Sequence, residues 1–252
     1  MIQAFTFQHG IAFILGCIIG SFANVCIHRL PWQQSLALPP SHCPNCQEGL
    51  KPWHNVPILS YILLKGRCAY CQTAISWRYP FVEFFCGLLY IILYEHFGFS
   101  IQGMIFTLLA TSLLIVSCID LAYRIIPDVI TLPGIIAGLL TSALISSVGI
   151  GSALLGVVIG GGLFLLIAII SRGGMGGGDI KLTAKIGAFL GWQGVFVTIF
   201  LAALSGSVSG LFLMAIKKKG RKDAMPFGPF LALGALLSLL WGHEIVHWYL
   251  RI

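Results

Sequence analysis

The feature that most restricts how this chain can fold is a succession of apolar runs, several of them near membrane-spanning length. They fall at Ile11 to Ile27, Phe81 to Tyr94, Ile101 to Ile119, Val129 to Ser147, Gly151 to Ile170 and Phe227 to Trp241, with a longer stretch from Leu182 to Ile216. A helix crossing a bilayer needs about 20 predominantly apolar residues, whereas a membrane barrel shows short alternating strands. Only 9% of the 252 residues are charged and 58% are hydrophobic. An ordinary soluble domain carries roughly 25% charged residues, so a water-soluble globule is excluded. The expectation is an all-α polytopic membrane protein, its thirty glycines suited to close helix packing.

The fifteen Lys and Arg outnumber the eight Asp and Glu. In a membrane protein this excess reports topology rather than an acidic partner, and no nucleic acid is expected. The thirty-five residues from Leu182 to Ile216 are long enough for two short or tilted spans, and Ser205, Gly206, Ser207, Ser209 and Gly210 lie among them. One long helix there would strand Lys217, Lys218, Lys219, Arg221 and Lys222 across the membrane from the other basic loops. Two helices give about eight transmembrane helices and put fourteen of the fifteen positives on one side, all but Arg251. By the positive-inside rule that side is cytoplasmic and both termini lie outside. The start, Met1 to Gly10, has no basic residue, which argues against a cleaved secretory signal.

Three segments follow: a first helix over 1–28, a polar cytoplasmic loop over 29–80 and a membrane domain over 81–252. Within the loop, Cys43-Pro-Asn-Cys46 and Cys68-Ala-Tyr-Cys71 are separated by twenty-one residues. Two such knuckles supply four thiolates to a tetrahedral zinc, a closed and therefore structural site. A pair of disulfides is the alternative, disfavoured in a reducing compartment. A loop this poor in apolar residues would take much of its folding energy from the metal. Cys17, Cys26, Cys86 and Cys118 stand singly in apolar runs and read as core packing.

Three carboxylates are placed suggestively. Asp120 ends an apolar run, where a charge is costly unless it faces protein or water; a pair with Arg124 one turn on is the plain alternative. Asp128, after Ile126-Pro127, is explained as a helix N-cap. Asp179 closes the run Gly173-Gly174-Met175-Gly176-Gly177-Gly178, which is expected not to remain helical, and it too can cap the helix that follows. The functional reading is that Asp120 and Asp179 face each other at one membrane depth. Adjacent like charges then share a proton; the ionised carboxylate activates water while the protonated one polarises a carbonyl. No nucleophile elbow, metalloprotease helix or phosphate-binding loop competes with this reading. His243 and His247, four apart, resemble metal ligands, but beside Trp241 and Trp248 an interfacial belt explains them better.

In order along the chain, these motifs resemble the type IV prepilin peptidases, bifunctional leader peptidases and N-methyltransferases of bacterial pilus and type II secretion systems. The resemblance runs over Gly20-Ser21-Phe22-Ala23-Asn24-Val25-Cys26-Ile27-His28-Arg29-Leu30-Pro31, the two cysteine knuckles and Ile75-Ser76-Trp77-Arg78-Tyr79-Pro80. It continues through Asp120, Ile126-Pro127-Asp128, Gly176-Gly177-Gly178-Asp179-Ile180-Lys181-Leu182 and Pro226-Phe227-Gly228-Pro229. It implies an inner-membrane GxGD-type aspartyl protease with Asp120 and Asp179 as its catalytic pair. Its substrates would be prepilins and pseudopilins, cut on the cytoplasmic side after a short basic leader. The exposed amine, commonly of phenylalanine, would then be methylated by S-adenosylmethionine. The methyltransferase half rests on the resemblance alone, since a fifty-residue loop holds no dinucleotide-style fold. Asn24, Trp53 and Asn55 are polar or aromatic residues near that loop that could line a site, and surface packing explains them as readily.

Other classes make different demands. A proton-coupled transporter would draw its acids towards the bilayer midplane, often with paired repeats that this sequence does not display. A non-enzymatic scaffold would dock through the zinc loop and use both aspartates as caps. A presenilin-like protease cutting mid-helix would place its acids deeper than the cytoplasmic edge.

Overall fold

The computed structural model describes residues 7–144, 148–172, 174–216 and 225–250, with side chains to Trp248. Met1 to Thr6, Gly173, the basic cluster Lys217, Lys218, Lys219, Arg221 and Lys222, and Arg251 lie outside the described residues. Among the described residues there are eight helices: α1 (Phe7–Arg29), α2 (Leu59–Leu63), α3 (Arg78–Phe97), α4 (Ile101–Tyr123), α5 (Asp128–Leu144), α6 (Ile150–Ile170), α7 (Gly177–Ala215) and α8 (Gly228–Leu250). No strand forms among the described residues, which hold only two isolated β-bridges. Among the described residues six helices are long and apolar enough to cross a membrane, and α5 is a shorter apolar one. Large apolar side chains such as Ile14, Leu108, Val158, Ile169 and Phe200 point outward. In water that would be prohibitive; against lipid it is the expected face.

The chain divides into two compact units, Met1–Ile115 and Val116–Ile252, with the boundary inside α4. In the first, α1 and α3 run antiparallel in close contact. A Cβ at Gly16 would sit 2.7 Å from the Gly87 Cα, and one at Gly20 equally close to the Glu83 Cα. Cys17 and Cys86 are buried. Small residues let the backbones approach, and dispersion between closely packed helices drives association where lipid supplies no hydrophobic push. At the far end of this pair His9 bonds to Glu95. The loop between α1 and α3 holds α2, two 3₁₀ turns and the cysteine knuckles.

In the second unit α7 packs against α5, α6 and α8. It is not one straight rod. Gly191 interrupts it with φ 70°, a left-handed conformation that glycine adopts without a Cβ penalty. Asp179 and Gly206 would stand about 40 Å apart on a continuous helix. Instead Asp179 interacts electrostatically with Asp120, whose carboxylate holds the Gly228 N–H, while the neighbouring Phe227 and Phe230 rings flank Gly206. The chain therefore doubles back at Gly191. Counting its arms separately and including α5 gives eight apolar helical segments, the expected number.

The near arm is packed backbone to backbone: a Cβ at Gly187 would lie 2.2 Å from the Gly156 carbonyl oxygen. Ser142 donates to the Ala188 carbonyl at 2.8 Å, and Ser238 donates to the Gly194 carbonyl at 3.0 Å.

Candidate active site and metal site

The two cysteine knuckles have the same backbone. In the first, the Cys43 N–H donates to the Glu48 carbonyl and the Gln47 N–H to the Cys43 carbonyl; in the second, the Cys68 N–H donates to the Thr73 carbonyl and the Gln72 N–H to the Cys68 carbonyl. Gln47 and Gln72 both turn through positive φ, and the bridges His42 to Gly49 and Arg67 to Ala74 close the loops. This geometry turns both sulfurs of each knuckle towards one point. All four Sγ atoms lie within 4.8 Å of one another, and Cys43 and Cys71 are 3.8 Å apart. Zn–S bonds of about 2.3 Å in a tetrahedron separate sulfurs by about 3.8 Å, so the donor set fits such an ion. The sulfurs converge four together rather than joining two by two. The Cys46 N–H draws the Cys43 thiol below its ordinary pKa, and the Thr73 hydroxyl draws Cys71 down to about 5. Both shifts favour the thiolate a metal requires, whereas Cys46 is pushed up to about 11, the lowering by the Glu48 N–H being outweighed by burial and the neighbouring Cys71, Cys43 and Cys68 sulfurs.

Among the described residues, no other group of three or more His, Cys, Asp and Glu could share a metal. The His243 and His247 rings lie against each other with centroids 4.3 Å apart and planes tilted by 46°, beside the exposed Trp241 and Trp248. Cys17, Cys26 and Cys86 are buried, as core packing requires, whereas Cys118 is only half-buried.

The second unit brings two carboxylates together. Asp120 sits in the last turn of α4, which ends where Arg124 adopts φ 57°. Its side chain does not pair with Arg124; its Oδ2 accepts the Gly228 N–H at 2.9 Å. Gly228 is the first residue of α8, and a helix's first N–H groups have no intrahelical acceptor, so this donor is available. The helix dipole there also favours an anion. A Cβ on Gly228 would stand 2.8 Å from the same oxygen. Asp120 is 6% exposed.

Asp179 lies in the first turn of α7, close enough to Asp120 for the two charges to interact. It is not the N-cap, a position held by Gly176. Its carboxylate reaches back to the Gly176 N–H, as the acid of a capping box does. Its Oδ1 is buried with no hydrogen-bond partner, a carboxylate oxygen left for another group.

Two sequence expectations need correction. Gly177 and Gly178 are helical despite the glycine run, because the turn is tied by the Asp179 N–H to the Gly176 carbonyl and a Cβ at Gly178 would strike the Ile126 side chain at 2.7 Å. Asp128 is inside the first turn of α5 rather than its cap, and its two oxygens each accept from the Lys181 ammonium at 2.7 Å. That pair links the start of α5 to the start of α7. Gly228 stands in the sequence only as part of Pro226-Phe227-Gly228-Pro229; the group that meets Asp120 is its backbone N–H, which no side-chain signal reveals.

Near the knuckles the first unit also encloses a cavity of about 350 Å³, lined by Phe22, Val25, Arg29, Leu50, Pro52 and Asn55 among others. Small-molecule sites begin at roughly this size. Asn55 and Trp53 are exposed. Asn24 is not a surface residue: it is 2% exposed and its Nδ2 donates to the Tyr79 carbonyl at 3.0 Å.

Comparison with known proteins matches residues 14–97 to the bacterial peptidase A24 N-terminal domain and residues 107–211 to the type IV leader peptidase family. A prepilin leader peptidase/N-methyltransferase of Stutzerimonas stutzeri is 37% identical over 95% of this chain and 93% of its own length. Proteins of that same description are 36% identical in Pseudomonas aeruginosa, over 97% of this chain and 96% of theirs, and 34% identical in Legionella pneumophila, over 97% and 95%. No solved structure matches the chain.

Proposed function

The chain belongs to the type IV leader peptidase family, and from that premise we propose that it cleaves prepilins and pseudopilins with Asp120 and Asp179 and then N-methylates the residue exposed. The observation that carries this reading is the meeting of the two carboxylates beside the Gly228 N–H. One of them, ionised, takes a proton from water; the other, protonated, donates to the scissile carbonyl. Hydrolysis then needs neither a metal nor a covalent intermediate. The Gly228 N–H holds Asp120 in place, and the unpartnered Oδ1 of Asp179 is the atom offered to water or substrate. The Lys181 to Asp128 bridge acts at one remove, fixing the turn that presents Asp179. In this reading hydrolysis is the work of segment 81–252.

The ion at Cys43, Cys46, Cys68 and Cys71 is zinc in a structural role, since four thiolates leave no coordination position open. S-adenosylmethionine, the donor, supplies an electrophilic methyl group, and the cavity beside Asn55 and Arg29 has room for a nucleoside-sized molecule. The protein is a multi-pass protein of the bacterial inner membrane. Loop 29–80 and the basic segments face the cytoplasm, where prepilin leaders reside, and both termini face the periplasm. The products serve type IV pilus or type II secretion assembly.

The test is cleavage of a prepilin by purified wild type, Asp120→Asn and Asp179→Asn in detergent, with mass spectrometry of the new N-terminus. Both variants should stay folded and lose cleavage. Cleavage by either would remove the aspartyl assignment.

A further inference from the structure

The seam between α1 and α3 holds polar groups that neither hydrolysis nor the cysteine site uses. Glu83, in the second turn of α3, is 8% exposed. Its Oε2 accepts the Ile58 N–H at 2.8 Å, and the Ser21 hydroxyl of α1 lies against the same carboxylate. One helical turn along the seam is Asn24. Because its Nδ2 donates to the Tyr79 carbonyl, the orientation of the amide is set and Oδ1 points the other way; that oxygen is buried with no partner. Among the described residues no Lys, Arg or His forms an ion pair with Glu83.

This is an expensive arrangement to keep for packing alone. A carboxylate held only by neutral donors and an amide oxygen with no donor each cost free energy at membrane depth. Ile58, which donates to Glu83, has φ 60°, a strained conformation for a β-branched residue and one that clusters at functional sites. Both groups are acceptors: an anionic carboxylate held by two neutral donors with no cationic partner, and an amide oxygen with no donor. The ligand they call for is a cationic donor with several N–H groups, and a primary ammonium has that chemistry.

We propose that Glu83 and Asn24 seat the free α-amine that leader cleavage exposes on the substrate. The inference rests on the N-methyltransferase reading above and names the acceptor half of that site. The amine arrives as an ammonium, donating to the Glu83 carboxylate and to Asn24 Oδ1. Glu83 takes one proton. The freed nitrogen lone pair forms the new N–C bond while the C–S bond of the sulfonium donor breaks, leaving a neutral thioether and a secondary ammonium. Ser21 and the Ile58 N–H hold the carboxylate in position.

The experiment uses the full-length protein in detergent, with Glu83→Gln and Asn24→Ala. Gln keeps an acceptor for the Ile58 N–H while removing the charge. Three quantities are measured: leader cleavage, methyl-sized mass gain on a pre-cleaved substrate, and binding of a short peptide beginning with phenylalanine, as the free amine and as its N-acetyl derivative. Wild type should bind the free amine at least about tenfold more tightly. Glu83→Gln should lose that preference and the mass gain, and keep both its zinc and wild-type cleavage. Asn24→Ala should weaken amine binding in the same direction. Methylation surviving in Glu83→Gln, equal binding of the acetylated peptide by wild type, or loss of zinc alongside methylation would each overturn the proposal, the last making Glu83 a structural anchor. If wild type prefers the free amine yet never methylates it, the seat stands and the methyltransferase reading fails.

Discussion

Gly228→Ala perturbs the aspartate pair without changing either aspartate. The added Cβ would stand 2.8 Å from Asp120 Oδ2, 3.2 Å from its Cγ and 3.3 Å from its Cβ, all of them side-chain atoms. A carboxylate can swing away from such a contact more cheaply than backbone can move. The stability cost should therefore be small, under about 1 kcal/mol, as for a modest repacking. Function pays more heavily, because the swing breaks the 2.9 Å bond from the Gly228 N–H. A hydrogen bond to a charged group contributes about 1.5 to 3 kcal/mol, and a displacement of about 1 Å at reacting groups costs on the order of a hundredfold in rate. We expect kcat/KM for leader cleavage to fall about ten- to a hundredfold. Methylation of a pre-cleaved substrate should be unchanged, because the added methyl group disturbs no residue of the proposed amine seat. Steady-state cleavage in detergent, thermal unfolding of the same samples and the methylation control separate these effects. Wild-type cleavage by a folded Gly228→Ala protein would refute the role assigned to this N–H.

Other expectations follow from the same geometry. Cys43→Ser or Cys68→Ser should lose the metal, read by elemental analysis, and impair methylation more than cleavage; a variant that keeps zinc and methylation would contradict the site. Lys181→Met removes an ion pair whose side chains are 40% and 55% exposed, so unfolding free energy should change by less than about 1 kcal/mol, and a larger loss would mean the bridge carries more than surface pairs do. Gly187→Ala forces a Cβ to within 2.2 Å of the Gly156 carbonyl and should destabilise the second unit by at least about 1 to 3 kcal/mol, visible as earlier thermal aggregation; an unshifted transition would show that the two helices separate freely.

The spans were legible because the bilayer dictates their composition: a helix in lipid is apolar for its whole length, and Ile101 to Ile119 or Gly151 to Ile170 has no other reading. The paired cysteines were legible for a similar reason, since four thiolates at fixed spacing serve few other purposes. The reversal within Leu182 to Ile216 was inferred from charge parity, but its position was not. Gly187, Gly191, Gly194, Gly206 and Gly210 are equivalent as letters, and only Gly191 takes a positive φ. Asp120 and Asp179 stood out as acids beside apolar runs. Their partners did not, because Asp120 is held by a backbone N–H more than a hundred residues away. Asp128 was misplaced by one step, since Ile126-Pro127 announces a helix start without fixing which residue caps it. Glu83 carries no sequence signal, because its lack of a cationic partner becomes visible only once α1 and the loop enclose it.

The reversal at Gly191 also bears on the lipid itself. The arm from Gly177 to Leu190 has about fourteen residues, hence a length of about 21 Å, and α5 with its 17 residues is about 26 Å long. The hydrocarbon core of a bilayer is about 30 Å thick. The helical segments whose first turns carry Asp179 and Asp128 are thus shorter than the core, which a bilayer accommodates by thinning around them or by drawing water in at one end. If Asp179 acts on water as proposed, thicker and more ordered lipid would oppose that deformation at the end of the arm that carries it. Hydrolysis is then expected to slow as the acyl chains lengthen, and the point at which Gly191 turns the chain sets how short that arm is.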